Sequence, residues 1–245
     1  MSEADAVRIA MWSGPRNIST AMMRAFEARG DCAVCDEPLY AFYLQETGLE
    51  HPGAQEVIAS QATAWREVVA ELTGPIPDGK PLWYQKHMSH HLLAEVERPW
   101  VLGLRNCFLI RDPRAMLASL QRVLPSPTLE DTGLPQQVAL FDWLLHETGQ
   151  TPPVVDSEDV LRDPGQVLGA LCDRLGITYS SRMLSWPPGP RPTDGVWARH
   201  WYGSVTNSGG FTPWRARAVD VPAAVAALVD PCEALYARLH RHRLT

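Results

Sequence analysis

Over residues 7–175, short apolar runs alternate with longer amphipathic stretches. The short runs have the length and composition of buried strands, which we place at 7–12, 32–36, 81–86, 106–111 and 153–156. The stretches between them carry apolar residues at helical spacing and predict helices over 18–29, 55–72, 89–97, 113–123, 134–147 and 165–175, with a last helix over 222–243. Strands that alternate with helices predict a parallel sheet with right-handed crossovers. The predicted fold class is therefore α/β, a three-layer parallel sheet with flanking helices.

The pattern changes after Ser185. Residues 186–214 are rich in Pro, Gly and Trp and show no periodicity, and a long irregular stretch of this kind is typical of a functional loop. We predict that it forms a lid or an acceptor-contacting loop. Because no repeat or linker divides the chain, we treat residues 1–245 as one domain.

Composition and charge narrow the classes of partner. Of the 245 residues, 45% are hydrophobic and 20% charged, as in globular proteins with a sizeable core. The formal net charge of −6 argues against nucleic acid as a partner, although a local basic pocket can still bind a phosphorylated ligand. No apolar run reaches the roughly 18 residues of a membrane helix. Two of the first five residues, Glu3 and Asp5, are acidic, where a signal peptide would carry bases. We therefore expect a cytoplasmic protein without a membrane partner.

The five cysteines, at positions 32, 35, 107, 172 and 232, are an odd number in a chain too large to need disulfides. We expect reduced thiols. Cys32 and Cys35 have CxxC spacing, but they lie in a predicted strand rather than at a helix start, and no second CxxC would complete a zinc site. A redox or metal role for this pair is disfavoured.

A candidate anion-binding loop follows the first strand, at Ser13-Gly14-Pro15-Arg16-Asn17-Ile18-Ser19-Thr20. A strand, a tight turn and a helix N-terminus present free backbone N–H groups and a positive dipole end to an anion. Arg16 adds a charge, and Ser19 and Thr20 add hydroxyls, although Ser and Thr also cap ordinary helices. The second Gly and the Lys of a Walker A motif are absent, which disfavours a Mg-ATP enzyme.

A second pattern appears on a later strand. Arg111-Asp112-Pro113-Arg114 ends that strand, and Ser119 follows on the next helix. Together with the Gly-Pro-Arg-x-x-Ser-Thr loop, this pattern resembles the PAPS-dependent sulfotransferases, in which the first loop holds the 5′-phosphosulfate and the later Arg and Ser hold the 3′-phosphate of the donor nucleotide. The resemblance implies a P-loop NTPase-like fold, with PAPS as donor and PAP as product. The residues it assigns to the nucleotide are Gly14, Pro15, Arg16, Asn17, Ile18, Ser19, Thr20, Arg111 and Ser119.

The position of Arg111 agrees with this assignment. It closes a strand at the carboxyl end, where open α/β sheets bind ligands, and a guanidinium fork suits a phosphate. From the residues alone, an ion pair of Arg111 with Asp112 and a solvated Ser119 would be the alternative.

Glu37 is the first candidate for the base that removes the acceptor proton. Asp36-Glu37-Pro38 follows the second strand, so we expect the Glu37 side chain at the carboxyl edge of the sheet, beside the first loop. This Glu-Pro segment also resembles that of bacterial sulfotransferases, in which the Glu acts as base. A structural role for Glu37, paired with Arg16 or capping a helix, is the alternative.

A second group of candidates lies at the end of the third strand, in Gln85-Lys86-His87-Met88-Ser89-His90-His91. Lys86 resembles the family's lysine on this strand, which would neutralise the leaving oxygen or orient the acceptor. Cytosolic members use a His nearby, which makes His87 the alternative base. We expect no metal here, because His90 and His91 cannot face the same way on a helix.

The expected activity is transfer of a sulfuryl group from PAPS to a hydroxyl or amine of a small-molecule acceptor. An ATP-dependent phosphotransferase on the same scaffold and a non-catalytic nucleotide-binding regulatory domain are the alternatives, because fold alone does not separate them. The acceptor is not identified by the sequence, and a homodimer is compatible with it. The C-terminal Arg-and-Gly loop of many sulfotransferases has only partial counterparts, at Arg199 and at residues 208–210.

Overall fold

Residues 6–216 and 218–245 are described by a computed structural model of the chain. Its strands are β1 (Val7–Ser13), β2 (Cys32–Asp36), β3 (Leu82–Met88), β4 (Arg105–Ile110) and β5 (Val154–Asp156). They form one sheet in the order β2-β3-β1-β4-β5, with every neighbouring pair parallel. The α/β class and the parallel sheet are confirmed, and each predicted strand is present within two residues of its predicted ends.

Helices cover both faces of the sheet. In chain order they are α1 (Ser19–Ala28), α2 (Tyr40–Thr47), α3 (Ala54–Ser60), α4 (Trp65–Thr73), α5 (Pro113–Leu120), α6 (Leu134–Thr148), α7 (Ser157–Arg162), α8 (Pro164–Leu175), α9 (Ala198–Trp201), α10 (Gly203–Thr206) and α11 (Val229–His240). Alternate residues of β1 face opposite layers, as the two-residue period of a strand requires. Ile9 and Met11 pack with α1 and α8, whereas Ala10 and Trp12 pack with α4, α6 and α11. The three-layer arrangement is thereby confirmed.

The connections reverse direction beside β1. The chain passes from β1 to β2 on one side of the sheet, returns to β3, and then crosses β1 to reach β4 on the other side. In open α/β sheets such a switch point leaves a crevice at the carboxyl ends of the strands, where ligands bind. Both predicted nucleotide motifs follow strands that border this crevice.

Two predicted helices differ from the structure. The helix predicted over 55–72 is broken between α3 and α4, where Gln61 has extended backbone geometry. The side-chain oxygen of Gln61 accepts a hydrogen bond from the Ala41 N–H of α2 at 3.1 Å. The helix predicted over 89–97 is only a 3₁₀ turn at Ser89–His91. There the His91 ring stacks on Tyr40 and Tyr43, each at 4.6 Å between centroids, so tertiary contacts override the local pattern.

Three further ranges refine the prediction. α2 and α7 were absent from it, and the last helix begins as a 3₁₀ turn at Ala223–Leu228 before α11. Most of 186–214 is irregular, as predicted, apart from the short helices α9 and α10. That the whole chain is one domain stays a prediction.

The cysteines are all free, and burial raises the pKa of the Cys32 thiol to about 12. No helix in 6–216 or 218–245 is long and apolar enough to cross a membrane. Residues 1–5, on which the expectation about a signal peptide rests, lie outside the described residues.

Candidate active site

A cleft of about 750 Å³ opens at the carboxyl ends of β1, β3 and β4. Its volume falls within the roughly 300–1,000 Å³ of small-molecule sites. The predicted site residues that line it are Pro15, Arg16, Asn17, Ile18, Ser19, Thr20, Glu37, Lys86, Arg111 and Ser119. One cavity therefore gathers nearly all of the candidates. Gly14 lies behind the wall, and His87 lies elsewhere.

Gly14 allows a close backbone contact beneath the loop. A Cβ at this position would stand 2.3 Å from the Thr132 carbonyl oxygen, a contact that no side chain fits. The loop then takes left-handed backbone at Arg16 (φ 63°) and Ile18 (φ 53°), which is rare for residues with a side chain and strained for a β-branched one. Such strained backbone is found where the surroundings impose a functional geometry.

The N-terminus of α1 faces the cleft without a cap. Ser19 and Thr20 line the cavity, and no side chain in the described part of the chain caps the first turn of α1. Its free N–H groups can therefore bind an anion. Asn17 does not share this role through its amide nitrogen, because Nδ2 donates to the Leu109 carbonyl at 3.3 Å and ties the loop to β4.

Direct hydrogen bonds join the two nucleotide motifs. The Arg16 Nε donates to the Ser119 Oγ at 3.0 Å, and the Arg111 Nη1 donates to the Arg16 carbonyl oxygen at 2.5 Å. Burial lowers the pKa of both arginines, and a neighbouring cation adds to it: Arg122 for Arg16, and Arg16 for Arg111. The site thus concentrates positive charge.

Arg16, Arg111 and Arg122 have no carboxylate partner in the described part of the chain. Among residues 6–216 and 218–245, no Asp or Glu oxygen lies within 4.0 Å of the charged nitrogens of Arg16, Arg111 or Arg122. The alternative pairing of Arg111 with Asp112 is absent, because the Asp112 carboxylate caps α5 and accepts from the Ala115 N–H at 2.9 Å. Arg122 was missed by the sequence analysis, although its position three residues after Ser119 was a usable signal.

Glu37 presents one side-chain oxygen to the cleft. Its backbone is left-handed (φ 43°) and is held by an N–H bond to the Lys86 carbonyl at 2.9 Å and by Gln61 Nε2, which donates to the Glu37 carbonyl at 3.2 Å. The carboxylate Oε1 accepts from Lys86 Nζ at 2.5 Å, whereas no described residue bonds Oε2. The alternative pairing with Arg16 is not found.

Lys86 is enclosed by acceptors. Its ammonium group donates to Asp36 Oδ1 at 2.8 Å, to Glu37 Oε1 at 2.5 Å and to the Tyr202 hydroxyl at 2.6 Å, which uses all three of its N–H donors. In this arrangement Lys86 binds the two carboxylates and the Tyr202 hydroxyl, and its predicted roles, neutralising the leaving oxygen or orienting the acceptor, stay predictions. Burial alone would lower the pKa of Lys86, but the charges of Asp36 and Glu37 outweigh burial and raise it.

The pKa of Glu37 is raised above its ordinary value. Burial is the largest cause and the charge of Asp36 adds to it, while the charge of Lys86 opposes them.

The structure does not place His87 in the cleft, which corrects its prediction as an alternative base. Successive residues of β3 face opposite sides of the sheet, so Lys86 and Met88 line the cleft and His87 points into the other layer. There its ring stacks on Trp12 at 4.2 Å, and Nε2 lies 3.3 Å from the Gln85 Oε1. Burial lowers the pKa of His87 to about 3.

An aromatic wall lines part of the cleft and was missed by the sequence analysis. Tyr40 and Tyr43 stand three residues apart on α2, so both face the cavity beside His51, His90 and His91. The Tyr40 hydroxyl lies 2.8 Å from His51 Nδ1. Burial lowers the pKa of His90 to about 4, and the charge of His51 adds to this effect.

The irregular segment closes the remaining side. Tyr202, Ser208 and Gly210 line the cavity, whereas Arg199 forms an ion pair with Glu56 outside it. The described residues contain no group of three or more His, Cys, Asp or Glu placed to hold a metal ion.

Comparison with known proteins identifies the class. Residues 7–233 match the family model described as "Sulfotransferase domain", and the chain therefore belongs to that family. A sulfotransferase from Alicyclobacillus acidocaldarius has the same fold, with a TM-score of 0.55 and 14% identity over 96% of both chains.

Two curated relatives come from Arabidopsis thaliana. The chain is 33% identical over 231 residues to "Branched-chain-amino-acid aminotransferase-like protein 2", which covers 94% of this chain and 41% of the relative. It is 34% identical over 242 residues to "Branched-chain-amino-acid aminotransferase-like protein 1", covering 99% and 43%. The chain thus spans less than half the length of these relatives.

Proposed function

We propose that this chain transfers a sulfuryl group from PAPS to a hydroxyl or amine of a small-molecule acceptor, with Glu37 as the general base. The observation that carries the proposal is charge separation within one cleft. Arg16, Arg111 and Arg122 have no carboxylate partner among the described residues, while Glu37 offers an oxygen in the same cleft. Because partly buried cations are costly without an anion, the arginine end calls for a polyanionic ligand.

The donor would bind across the arginine end. Arg111, with Ser119, would hold the 3′-phosphate, and the loop of residues 14–20 with the first turn of α1 would hold the 5′-phosphosulfate. The bond between Arg16 and Ser119 supports this proposal, because it brings the two motifs that would hold these phosphates into direct contact.

The reaction needs one base and stabilisation of the leaving group. The acceptor oxygen (or nitrogen) attacks sulfur and gives its proton to Glu37, while the bond from sulfur to the phosphate oxygen breaks and its electron pair stays on PAP. A carboxylate with a raised pKa suits proton abstraction near neutral pH. Arg16 and the free N–H groups of α1 would stabilise the charge that develops on the leaving phosphate.

The acceptor would lie between Glu37 and the aromatic wall. Stacked rings of Tyr40, Tyr43 and His91 offer a flat, largely apolar surface for a small molecule. Because sulfonate carries less charge than a phosphoryl group, the mechanism requires no metal. Reduced thiols are consistent with a cytoplasmic location, which the proposal includes.

Ligand binding tests the donor. We expect PAP to raise the melting temperature of the protein, by stabilising it about 2.7 kcal/mol at a hundred times its Kd, and ADP to do much less. An assay with PAPS and a panel of hydroxyl and amine acceptors then tests the reaction, with the release of PAP measured by chromatography. A melting shift with ATP·Mg²⁺ and none with PAP would overturn the proposal in favour of a phosphotransferase, and PAP binding without turnover would indicate a regulatory domain.

A further inference from the structure

The irregular segment supplies a hydroxyl to the buried charge cluster behind the base. Tyr202 follows α9, and its OH lies 2.8 and 2.7 Å from the two oxygens of Asp36 and 2.6 Å from Lys86 Nζ. A weaker contact of 3.4 Å reaches Glu37 Oε1. A residue distant in sequence therefore joins all three charged members of the cluster.

Further contacts hold the irregular segment against this charge cluster. Trp197 Nε1 donates to the Tyr202 hydroxyl at 3.1 Å, and the Gly195 N–H donates to Asp36 Oδ2 at 3.1 Å. A Cβ at position 195 would lie 2.1 Å from the Trp197 ring, so only glycine allows this packing. Trp197 and Tyr202 are 2% and 5% exposed, which makes this contact part of the core rather than a surface approach.

We propose that Tyr202 is a positioning residue for the base: its hydroxyl completes the pairing of Asp36 with Lys86 and so holds the Glu37 carboxylate with Oε2 toward the cleft. The role of Glu37 as base rests on the function proposed above. The contacts around the cluster are independent of it.

Counting donors and acceptors shows what Tyr202 contributes. Lys86 has three N–H groups and three acceptors, and Asp36 depends on Lys86, Tyr202 and the Gly195 N–H. Without the Tyr202 hydroxyl, one ammonium hydrogen is unpaired and Asp36 loses a donor. Lys86 is then drawn toward Asp36, and the Glu37 anion is less stabilised.

Other titratable groups also face Glu37. Asp36 comes from β2, Lys86 from β3 and Tyr40 from α2. Replacing Asp36 should shift the pKa of Glu37 in the opposite direction to replacing Tyr202. It removes a negative neighbour and makes Glu37 the one carboxylate of the cluster that Lys86 binds. A pair of variants with opposite expected shifts distinguishes positioning from general loosening of the site.

The experiment is a carbon-13 NMR titration of Glu37 in the whole protein labelled at the glutamate carboxyl, with the signal assigned by its loss in Glu37→Gln. We expect Tyr202→Phe to raise the apparent pKa of Glu37 by about half a unit or more, and Asp36→Asn to lower it. Tyr236→Phe is the matched control, since it removes a 2.7 Å bond from Tyr236 to Asp156 outside the cleft and should leave the Glu37 titration unchanged.

Coincident titrations of Tyr202→Phe and the wild type, or shifts of Tyr202→Phe and Asp36→Asn in the same direction, would overturn the proposal. If Tyr202→Phe does not fold, Trp197→Phe, which removes a donor to the same hydroxyl, should produce a smaller upward shift, and no shift would refute it. The titration needs neither donor nor acceptor. Absence of sulfuryl transfer from PAPS in the wild type would therefore refute the proposed function while leaving this result intact.

Discussion

Arg111 is the residue on which the proposed reading of the donor nucleotide depends. It follows β4 at the switch point of the sheet, has no carboxylate within 4.0 Å among the described residues, and braces the loop through the Arg16 carbonyl. Replacing it with alanine removes a charged donor from the proposed 3′-phosphate site and also frees the loop backbone.

The size of the effect follows from these contacts. A charge-assisted bond from a partly buried guanidinium contributes about 2–4 kcal/mol when its partner is left unpaired. At 1.4 kcal/mol per tenfold change, Arg111→Ala should weaken PAP binding about 30- to 700-fold. Adenosine 5′-phosphate lacks the 3′-phosphate, so its affinity should fall much less, by the loss of loop bracing alone.

Isothermal titration calorimetry with PAP and with adenosine 5′-phosphate measures both quantities. Arg105→Ala is the matched control, because Arg105 begins the same strand at its opposite, exposed end and its replacement changes the net charge equally. Unchanged PAP affinity in Arg111→Ala would refute the assignment. Equal losses for the two nucleotides would show that Arg111 braces the loop and does not contact the 3′-phosphate.

Three other substitutions test the base and the loop. Glu37→Gln should lower kcat about 100- to 10,000-fold in the PAP-release assay while calorimetry shows PAP affinity within about threefold, and near-normal turnover would exclude Glu37 as base. His87→Phe should leave turnover intact. In the unfolded chain this histidine binds a proton below pH 6.5, whereas in the native protein it does so only near pH 3. The wild type should therefore lose about 2 kcal/mol more stability than the variant between pH 7.5 and 5, as measured by urea unfolding. An equal loss would show that His87 titrates normally. Gly14→Ala should destabilise the fold by about 1–3 kcal/mol and weaken PAP binding, because the added Cβ would clash with the Thr132 carbonyl. Gly169→Ala, on a helix with open space around it, should do neither. Melting curves compare the stability of the two variants, and calorimetry compares their PAP affinity.

The sheet could be predicted because its strands are buried on both faces. Runs such as Cys32–Asp36 and Arg105–Ile110 are short, apolar and bounded by turn residues, so their positions depend on local sequence. The helices between residues 54 and 97 could not be predicted as well. Gln61 ends α3 because its side chain bonds the chain near Glu37, and His91 leaves helical geometry to stack on Tyr40, contacts that depend on the completed fold.

The site residues also differ in whether the sequence could predict their positions. Residues that follow a strand, such as Glu37 and Arg111, were predictable because parallel strands end at one edge of the sheet. Tyr202 was not, because it reaches the cluster from a segment without periodicity, more than 160 residues after Asp36 in the chain. His87 was misplaced for a simpler reason: the period of two on β3 assigns it to the opposite face from Lys86.

Lys86 explains how Glu37 can share one cleft with three arginines that have no carboxylate partner among the described residues. Without Lys86, Glu37 would be free to pair with a guanidinium of the cleft, as in the alternative of a Glu37–Arg16 pair. The proposed base and the proposed anion site would then both be lost. Instead Lys86 occupies Oε1 of Glu37 and is itself fixed by Asp36, so the carboxylate is retained at its own end of the cleft. The three charges sum to −1, which is the sign that disfavours a polyanion there and directs it to the arginine end. Burying this ion cluster costs desolvation energy, which the hydrogen bonds from Lys86 to Asp36 and Glu37 partly offset.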